Sequence, residues 1–596
     1  MIAIIVSLLA GLFVSGIVFR HQRMFTYMGA CLALAWGWWL VLTFIGRTWL
    51  SEFPPTLLYG FGPALLAVIF LPWWKQWRLP YRNAPGSGWR DLMVMLALLP
   101  VMGAAYMVWQ VNGREHSNWV WHGFFNGDTA TFASLVEKSF LTPGLATDNP
   151  FAAGLPLEYP TLVHAGVAAL FGADGATGWT YFLPTMTYVA IFVIVAAFWL
   201  LFDILFPESL QPRWLGLKPM WAKVMPLLGV LYVMALGWDN FIYPQSHFFL
   251  LGLWVVVAAL FGQGLKNPAR LRGMTLFLAS VFTVVLIAGN AVLGAAALAV
   301  ALGTCGSLFL DKKNEASTRL VALALGVAFV AIFLVLAPGE PQFGGLQFSY
   351  EGASDMMRLL PALALLFIGL ALYESRPAST LLGVAGLCVL AGVTFFFSTR
   401  DIVVANTSRF LYHALLLGWP FMILPVARLG FWLKRYFLYS TKTLSEFIGA
   451  IVVVAALVAL LLLPAVASVA QAHDNLMRKD RQEITPAMTE AAWWLEDHTS
   501  IRDVIVASPL PPWYIPFMTG RTLLRAGYEE GAYWLSTDDG TLSHLRAAFT
   551  GDAKAQDTVA GMGDYLLLTK AERALWKPLS FEKVFDIDAI VIYKLR

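Results

Sequence analysis

Long apolar runs separated by short polar loops make up most of the chain. Most of these runs reach about 18 residues, the length that a helix needs to cross the hydrocarbon core of a bilayer. The pattern predicts a polytopic α-helical membrane protein with about fourteen transmembrane helices. They are expected near residues 2–19, 27–46, 55–73, 92–112, 178–204, 223–238, 246–263, 273–289, 291–309, 320–337, 358–374, 380–397, 409–427 and 446–470.

The pattern changes after Ala470, where charged residues become frequent and the apolar runs become short. Residues 471–596 are therefore predicted to form a small soluble α/β domain, and residues 1–470 the transmembrane domain. One amphipathic helix is expected from Thr485 to His498, with Trp493 and Trp494 on or near its apolar side. Strands are expected at the β-rich runs Val504–Ala507, Tyr565–Leu568 and Ala589–Tyr593.

Composition supports a membrane protein. Of 596 residues, 59% are hydrophobic and 13% are charged, and the mean hydropathy is +0.67. A soluble protein carries about twice that share of charged residues. The net charge of +3 does not indicate a nucleic-acid partner, because in membrane proteins the placement of Lys and Arg matters more than their sum.

Basic residues occupy every second loop between the predicted helices. The positive-inside rule makes those loops cytoplasmic, so both termini are expected outside. The same parity places a large outer loop at residues 113–177, in which residues 161–171 are expected to form a short interfacial helix. The basic loops contain Arg20 and Arg23, Lys75 to Arg90, Arg213 to Lys223, Lys266 to Arg272, Lys312 to Arg319, Arg376, and Arg428 to Lys442.

The large outer loop concentrates residues that could carry chemistry between two apolar regions. Asp128 follows Asn-Gly and precedes a run that is typical of a helix. Asp at this position could cap the helix, or act as a general base that activates an acceptor hydroxyl. The polar neighbours expected to bind substrate are His122, Glu158, Tyr159 and His164.

Other candidates lie at further predicted outer loops. Asp239 and His247 flank a helix end, and Asp128 and Asp239 together could bind a divalent cation such as Mg²⁺ or Mn²⁺. Arg400 and Arg409 lie on the outer side, against the positive-inside bias. Because a guanidinium pairs with phosphate through a planar fork, these two arginines are the candidate ligands of a donor phosphate.

No P-loop, dinucleotide fingerprint or nucleotide-binding domain is present in the sequence. Such motifs hold soluble nucleotides through Gly-rich turns and helix N-termini. An outward-facing site without them is expected to draw its energised donor from the membrane or from outside.

Two segments resemble a known family. The outer loop, with Gly127-Asp128-Thr-Ala-Thr-Phe-Ala and then Asp148-Asn-Pro to Leu157-Glu158-Tyr159-Pro160, is similar to the first outer loop of GT-C glycosyltransferases. The tail resembles their C-terminal extracytoplasmic domain, from Trp493-Trp494 through Thr519-Gly-Arg-Thr to Val591-Ile-Tyr593. The chain departs from the family pattern in having about four predicted helices before the loop, where many members have one.

The resemblance implies a bacterial inner-membrane glycosyltransferase with its active site and tail on the periplasmic side. The donor would be a sugar on a polyprenyl phosphate, and the acceptor a cell-envelope glycan, a lipid or a protein. Asp128 would be the catalytic base of an inverting displacement. Two other classes stay open: a flippase or transporter for lipid-linked glycans, in which charged residues inside the membrane mark the path, and an enzyme of the O-antigen ligase or polymerase type.

Overall fold

The chain is described by a computed structural model. The described residues are 2–19, 22, 24–49, 114–115, 118–142, 144–145, 147–155, 157, 160–171, 175–206, 229, 232, 235–236, 246–266, 269–312, 314–336, 350–373, 378–397, 401–439, 443–477, 481–509, 514–526, 540–576, 580–587 and 589–596. The predicted helices at 55–73 and 92–112 lie outside this part of the chain, and so does most of the one at 223–238.

Long apolar helices form a bundle that contains most of the described residues. Their bounds are α1 Ile2–Val18, α2 Met24–Trp49, α5 Gly175–Leu205, α6 Ser246–Lys266, α7 Ala269–Gly289, α8 Ala291–Leu310, α9 Ala316–Leu336, α10 Tyr350–Leu372, α11 Ala378–Phe397, α12 Asp401–Tyr439 and α13 Leu444–Met477. Six of the described helices, α2, α6, α7, α8, α9 and α12, are long and apolar enough to cross a membrane. The protein is therefore a multi-pass membrane protein.

Helix α6 lies at the centre of the bundle. It packs against α2, α5, α7 and α8, while α12 packs against α10 and α11. Because lipid tails are as apolar as the helices, the hydrophobic effect does not drive helix association in a membrane. Close packing at small residues stabilises the association instead. Gly369 of α10, for example, lies directly against the backbone of Phe421 in α12, where a Cβ atom would overlap the carbonyl. By contrast, most side chains of α9 are exposed and apolar, as expected of a lipid-facing helix.

Helix α12 begins earlier than the hydropathy pattern predicts. It starts at Asp401 and includes residues 401–408, which were expected to form part of an outer loop. Helix α10 likewise starts at Tyr350, within another predicted outer loop. Hydropathy detects the apolar stretch that can sit in lipid, but backbone hydrogen bonds can continue a helix beyond that stretch into polar sequence. Arg409 is therefore inside a helix rather than next to its start.

The predicted outer loop contains its own elements. These are β1 Arg114–Glu115, β2 Asn118–His122, α3 Gly123–Leu141 and α4 Leu162–Phe171. The short helix expected at residues 161–171 is thus present as α4. Asp128 is the sixth residue of α3. The capping role considered for Asp128 does not apply, because the helix begins five residues earlier.

The C-terminal segment forms a mixed sheet with helices around it. Its elements are β3 Arg481–Ile484, α14 Pro486–His498, β4 Val504–Val506, α15 Tyr514–Thr519, β5 Thr522–Leu523, α16 Thr541–Phe549, α17 Ala553–Ala560, β6 Tyr565–Thr569, α18 Lys570–Arg573, β7 Glu582–Asp586 and β8 Ile590–Lys594. The sheet order is β5-β4-β6-β8-β7. Strand β4 runs parallel to β5 and β6, while β8 runs antiparallel to β6 and β7. The three predicted strands appear as β4, β6 and β8.

Helix α14 is the helix expected from Thr485 to His498. The Thr485 hydroxyl accepts a hydrogen bond from the backbone N–H of Met488 and so caps the helix. One detail of the prediction is wrong. Trp493 is 56% exposed and lies away from the apolar side, which is formed by Ala491, Ala492 and Leu495.

Candidate active site

Helix α3 carries Asp128 and follows directly from strand β2, which ends at His122. Phe132 lies one helical turn after Asp128. Its ring is 4.6 Å from the imidazole of His164 in α4 and 5.5 Å from the ring of Phe249 in α6, measured between centroids. The middle of α3 is therefore in contact with the start of α4 and the start of α6.

His164 is 1% exposed, and its burial lowers its pKa to about 3, although backbone hydrogen bonds at Pro160 and Thr161 oppose the shift. The imidazole is therefore neutral at physiological pH. Its ring contacts that of Phe132 at an interplanar angle of 46°, so its visible contribution is to pack α4 against α3. A substrate-binding role for His164 stays a prediction.

His247 lies at the start of α6, two residues before Phe249, and forms a buried pair with His413 of α12. Their Nε2 atoms are 3.0 Å apart. The Nδ1 atom of His413 lies 2.6 Å from the carbonyl oxygen of Arg409. Since a carbonyl oxygen only accepts, Nδ1 of His413 carries a proton, and with both rings neutral Nε2 of His247 donates to Nε2 of His413. The pair ties the start of α6 to the turn of α12 that contains Arg409.

Sequence reasoning did not identify His413. A signal was present, because His413 follows Arg409 by one helical turn inside an otherwise apolar helix. Ionisable residues within apolar membrane segments usually face the bundle interior and mark function. His413 is fully buried, and the ring of Trp254 meets it edge-on, with centroids 5.2 Å apart.

The structure thus brings four predicted residues towards one end of the bundle. Asp128 and His164 lie in helices that meet at Phe132, and His247 and Arg409 are linked through His413. His122 is at the end of β2, immediately before α3. Glu158, Tyr159, Asp239 and Arg400 lie outside the described residues.

A metal ion has no ligand cluster in the part of the chain that the structure describes. No group of three or more His, Cys, Asp or Glu side chains is close enough there to hold one. The proposed Asp128–Asp239 cation site includes Asp239, which is not described. That site therefore stays a prediction.

The second half of α3 is buried against the C-terminal segment. Glu137 is 3% exposed, and burial, reinforced by the nearby Glu496 and partly offset by Arg521, raises its pKa to about 7. Next to it, Lys138 donates from Nζ to the Thr522 hydroxyl over 3.1 Å, and burial lowers its pKa. Two ionisable side chains are thus enclosed where α3 meets α15 and β5.

Backbone hydrogen bonds extend this contact. Leu523 N–H donates to the carbonyl of Pro150, Ala153 N–H donates to the carbonyl of Leu523, and Ala526 N–H donates to the carbonyl of Phe151, each over 2.9 Å. Residues 150–153 therefore cover the edge of β5, which would otherwise leave unpaired backbone groups. The Arg525 guanidinium adds a bond to the carbonyl of Ala153 at 2.8 Å.

A second sheet joins the same two regions. Strand β2 pairs antiparallel with β3, from Trp119 opposite Ile484 to His122 opposite Arg481. Since β2 leads directly into α3, this pairing fixes the start of α3 to the C-terminal segment, as β5 fixes residues 150–153. The position of Asp128 is therefore set by the bundle on one side and by the tail on the other.

No family profile matches the chain, and no curated protein matches it. Among solved structures, the chain is similar to the crystal structure of ArnT from Cupriavidus metallidurans in the apo state, with 13% sequence identity and a TM-score of 0.43. The match covers 86% of this chain and 99% of that one.

Proposed function

We propose that this protein is a membrane glycosyltransferase of the GT-C type. It moves a sugar from a polyprenyl-phosphate-linked donor to an extracytoplasmic acceptor, which is a cell-envelope glycan, a lipid or a protein. The site lies where α3, α4, α6 and α12 meet, on the periplasmic side of a bacterial inner membrane. In this arrangement the tail, residues 471–596, forms an extracytoplasmic α/β domain.

The main observation behind the proposal is that α3, α4 and α6 are in contact at Phe132. An acidic residue on the outer-loop helix, Asp128, is one turn from a contact that joins α3 to α6. The same end of α6 is bonded through His247 and His413 to the turn of Arg409. An acid and a guanidinium are thus assigned to neighbouring elements at one end of an apolar bundle.

The chemistry assigned to these residues is a direct displacement. Asp128 accepts the proton of the acceptor hydroxyl while that oxygen attacks the anomeric carbon. The bond between the anomeric carbon and the phosphate oxygen breaks, and the phosphate leaves on the lipid with both bonding electrons. Arg409, with Arg400, stabilises the charge that develops on this phosphate. A single displacement inverts the anomeric centre.

The test uses the purified full chain in phospholipid vesicles. A panel of polyprenyl-phosphate sugars, each with a radiolabelled sugar, is added with a mixed cell-envelope extract as acceptor. We expect at least one donor to release polyprenyl phosphate and to transfer label to the extract, while nucleotide sugars are not consumed. Movement of intact donor across the bilayer without cleavage would show the flippase function instead. Transfer of a preassembled lipid-linked polysaccharide, with no single-sugar donor consumed, would show the ligase function.

A further inference from the structure

His413 is held in one orientation by its own helix. Its Nδ1 atom donates to the carbonyl oxygen of Arg409, one helical turn earlier, over 2.6 Å. His498 in the tail makes the same local contact, with its Nδ1 atom 2.9 Å from the carbonyl oxygen of Trp494. This contact is therefore a local property of a histidine in a helix. In His413 it fixes the ring and leaves Nε2 as an acceptor.

The second nitrogen of His413 bonds to another helix. Nε2 accepts a hydrogen bond from Nε2 of His247 over 3.0 Å, which joins α12 to α6. His413 is fully buried and His247 is 7% exposed, so the bond forms away from water. Loss of either ring would leave the other with a buried, unpaired polar atom, which is costly in an apolar bundle. The bond therefore holds the two helices at a defined separation.

The two helices that this bond joins pack mainly against different neighbours. Helix α6 packs against α2, α5, α7 and α8, whereas α12 packs mainly against α10 and α11. Helix α12 also contains Pro420, after His413. Because proline removes a backbone hydrogen bond and kinks a helix, the orientation of the segment before it depends on the contacts of that segment. The histidine pair is one of these contacts.

Both helices connect this pair to the proposed site. At the start of α6, the ring of Phe249 meets that of Phe132 in α3, with centroids 5.5 Å apart. On α12, Arg409 lies on the same face as His413, one turn earlier. The positive charge of Arg409 interacts with both imidazoles. The pair thus lies between the guanidinium and the contact of α6 with α3.

We propose that His413 and His247 are positioning residues of the transferase site. Their hydrogen bond fixes the start of α6 to α12, and so sets the distance between α3, which carries Asp128, and the guanidinium of Arg409. A misplacement of about 1 Å between reacting groups can cost about 10²-fold in rate. The inference rests on the proposed function, in which Arg409 stabilises the leaving phosphate. It assigns His247 to the support of the site instead of to substrate binding.

Asparagine and glutamine separate the two nitrogens of each ring. The amide group of Asn reaches the position of Nδ1, and that of Gln reaches the position of Nε2. Gln at position 413 can therefore accept across the gap between the helices, and Gln at position 247 can donate across it. Asn at either position loses the bond, although His413→Asn keeps the donor to the Arg409 carbonyl.

We expect kcat/KM for the polyprenyl-phosphate donor to fall about tenfold or more in His413→Asn and in His247→Asn. The two Gln variants should recover most of this loss. His498→Asn alters a histidine with the same local contact but outside the site, and it should keep the parent rate. Folded Asn and Gln variants with equal rates at both positions, at or below the parent rate, would overturn the inference.

Combined variants test whether the pair acts through Arg409. In an Arg409→Gln background, His413→Asn should lower the residual rate by less than about twofold, because residues that act through one another are not additive. A multiplied loss would show a general packing role instead. A slow Arg409→Gln variant with His413→Asn at the parent rate would overturn the inference alone. An Arg409→Gln variant at the parent rate would contradict the phosphate role in the proposed function.

The hydrogen bond itself is measured without substrate. Solid-state nitrogen NMR of the full chain in vesicles, with isotope-labelled histidine, should show two imidazoles coupled through an Nε2–H···Nε2 bond. One of them should be protonated at Nδ1 and the other at Nε2. The coupling should disappear in His247→Asn and persist in His498→Asn. Absence of the coupling in the parent would overturn the inference whatever the transfer assay shows.

Discussion

Several buried ionisable side chains among the described residues lie where separate parts of the chain meet. His164 joins α4 to α3, the His247–His413 pair joins α6 to α12, and Glu137 lies between α3 and the tail. Each of these side chains is enclosed by neighbouring elements, unlike an exposed catalytic group. His164, for instance, is neutral and enclosed, so its observed contacts explain its position without requiring catalysis.

Glu137 predicts a pH dependence of stability. Its pKa in the folded protein is raised to about 7 from an ordinary 4.5. Between pH 4.5 and about 7, the carboxyl of this residue is ionised in the unfolded chain but protonated in the folded protein. The free energy of unfolding therefore falls as pH rises through this range. Above about pH 7 the decrease is complete. The loss is on the order of 3 kcal/mol from a shift of this size.

The substitution Glu137→Gln removes the titrating group and keeps the shape. Followed by tryptophan fluorescence in detergent, the melting temperature of the variant should be within a degree or two of the parent's near pH 5 and several degrees higher near pH 8. Glu490→Gln, on the exposed side of α14, is the control and should behave like the parent at both values. A Glu137→Gln variant that is equally stabilised at pH 5 and pH 8 would show that ionisation of Glu137 is not the cause.

Helix α3 is the element on which the proposed site depends, and its contacts were only partly predictable. Its existence and the strands β4, β6 and β8 follow from local periodicity. The pairing of β2 with β3 does not, because it joins residues far apart in sequence, and a two-stranded contact has no local signature. The contact between His413 and His247 is unpredictable for the same reason, because the two residues lie on different helices.

Gly520 tests whether α3 is fixed to the tail. Its φ is +65°, and a Cβ there would overlap the Leu141 side chain at the end of α3. Gly520→Ala should therefore lower stability by about 1–3 kcal/mol, about 1–2 kcal/mol from the left-handed backbone conformation and the rest from moving the Leu141 side chain aside. Thermal unfolding measures this loss of stability. The rate of proteolysis between α13 and β3 is a second readout.

Gly540→Ala is the matched control, since φ is +81° but the nearest atoms to a Cβ, in the His544 ring, are 3.9 Å away. It should lose only the backbone contribution, about 1–2 kcal/mol. Combining Gly520→Ala with Leu141→Ala should relieve the overlap. Equal losses for the two glycine variants would mean that α3 and the tail do not pack as described.

At the scale of the whole molecule, several helix ends lie on the side of the bundle that carries the outer loop. Arg47, at the end of α2, donates to the carbonyl of Thr142 just after α3. A Cβ at Gly289, the end of α7, would meet Leu250 of α6 and Val163 of α4. These contacts place the ends of α2 and α7 and the start of α6 beside the outer loop, which agrees with the parity of the basic loops. That this side is periplasmic stays a prediction from charge.

Arg47 also shows where the charge pattern is incomplete. It lies on the predicted outer side, where basic residues are unusual. In the structure it donates to the carbonyl groups of Thr142 and Gly144, which follow the end of α3. Hydropathy therefore predicted most of the described helices, while the contacts that connect the outer loop to the bundle required three-dimensional information.

The most direct measurement is the initial rate of polyprenyl-phosphate release by Asp128→Asn compared with the parent, in vesicles and with the donor found active. The substitution keeps the shape of the side chain and removes the base. We expect the rate to fall by about 10²–10⁴-fold, the usual contribution of a general base, while the folded yield and the melting temperature stay unchanged. Asp497→Asn, on the exposed surface of α14, should keep the parent rate. A folded Asp128→Asn variant that releases polyprenyl phosphate within twofold of the parent rate would contradict the assignment of the base and of the site.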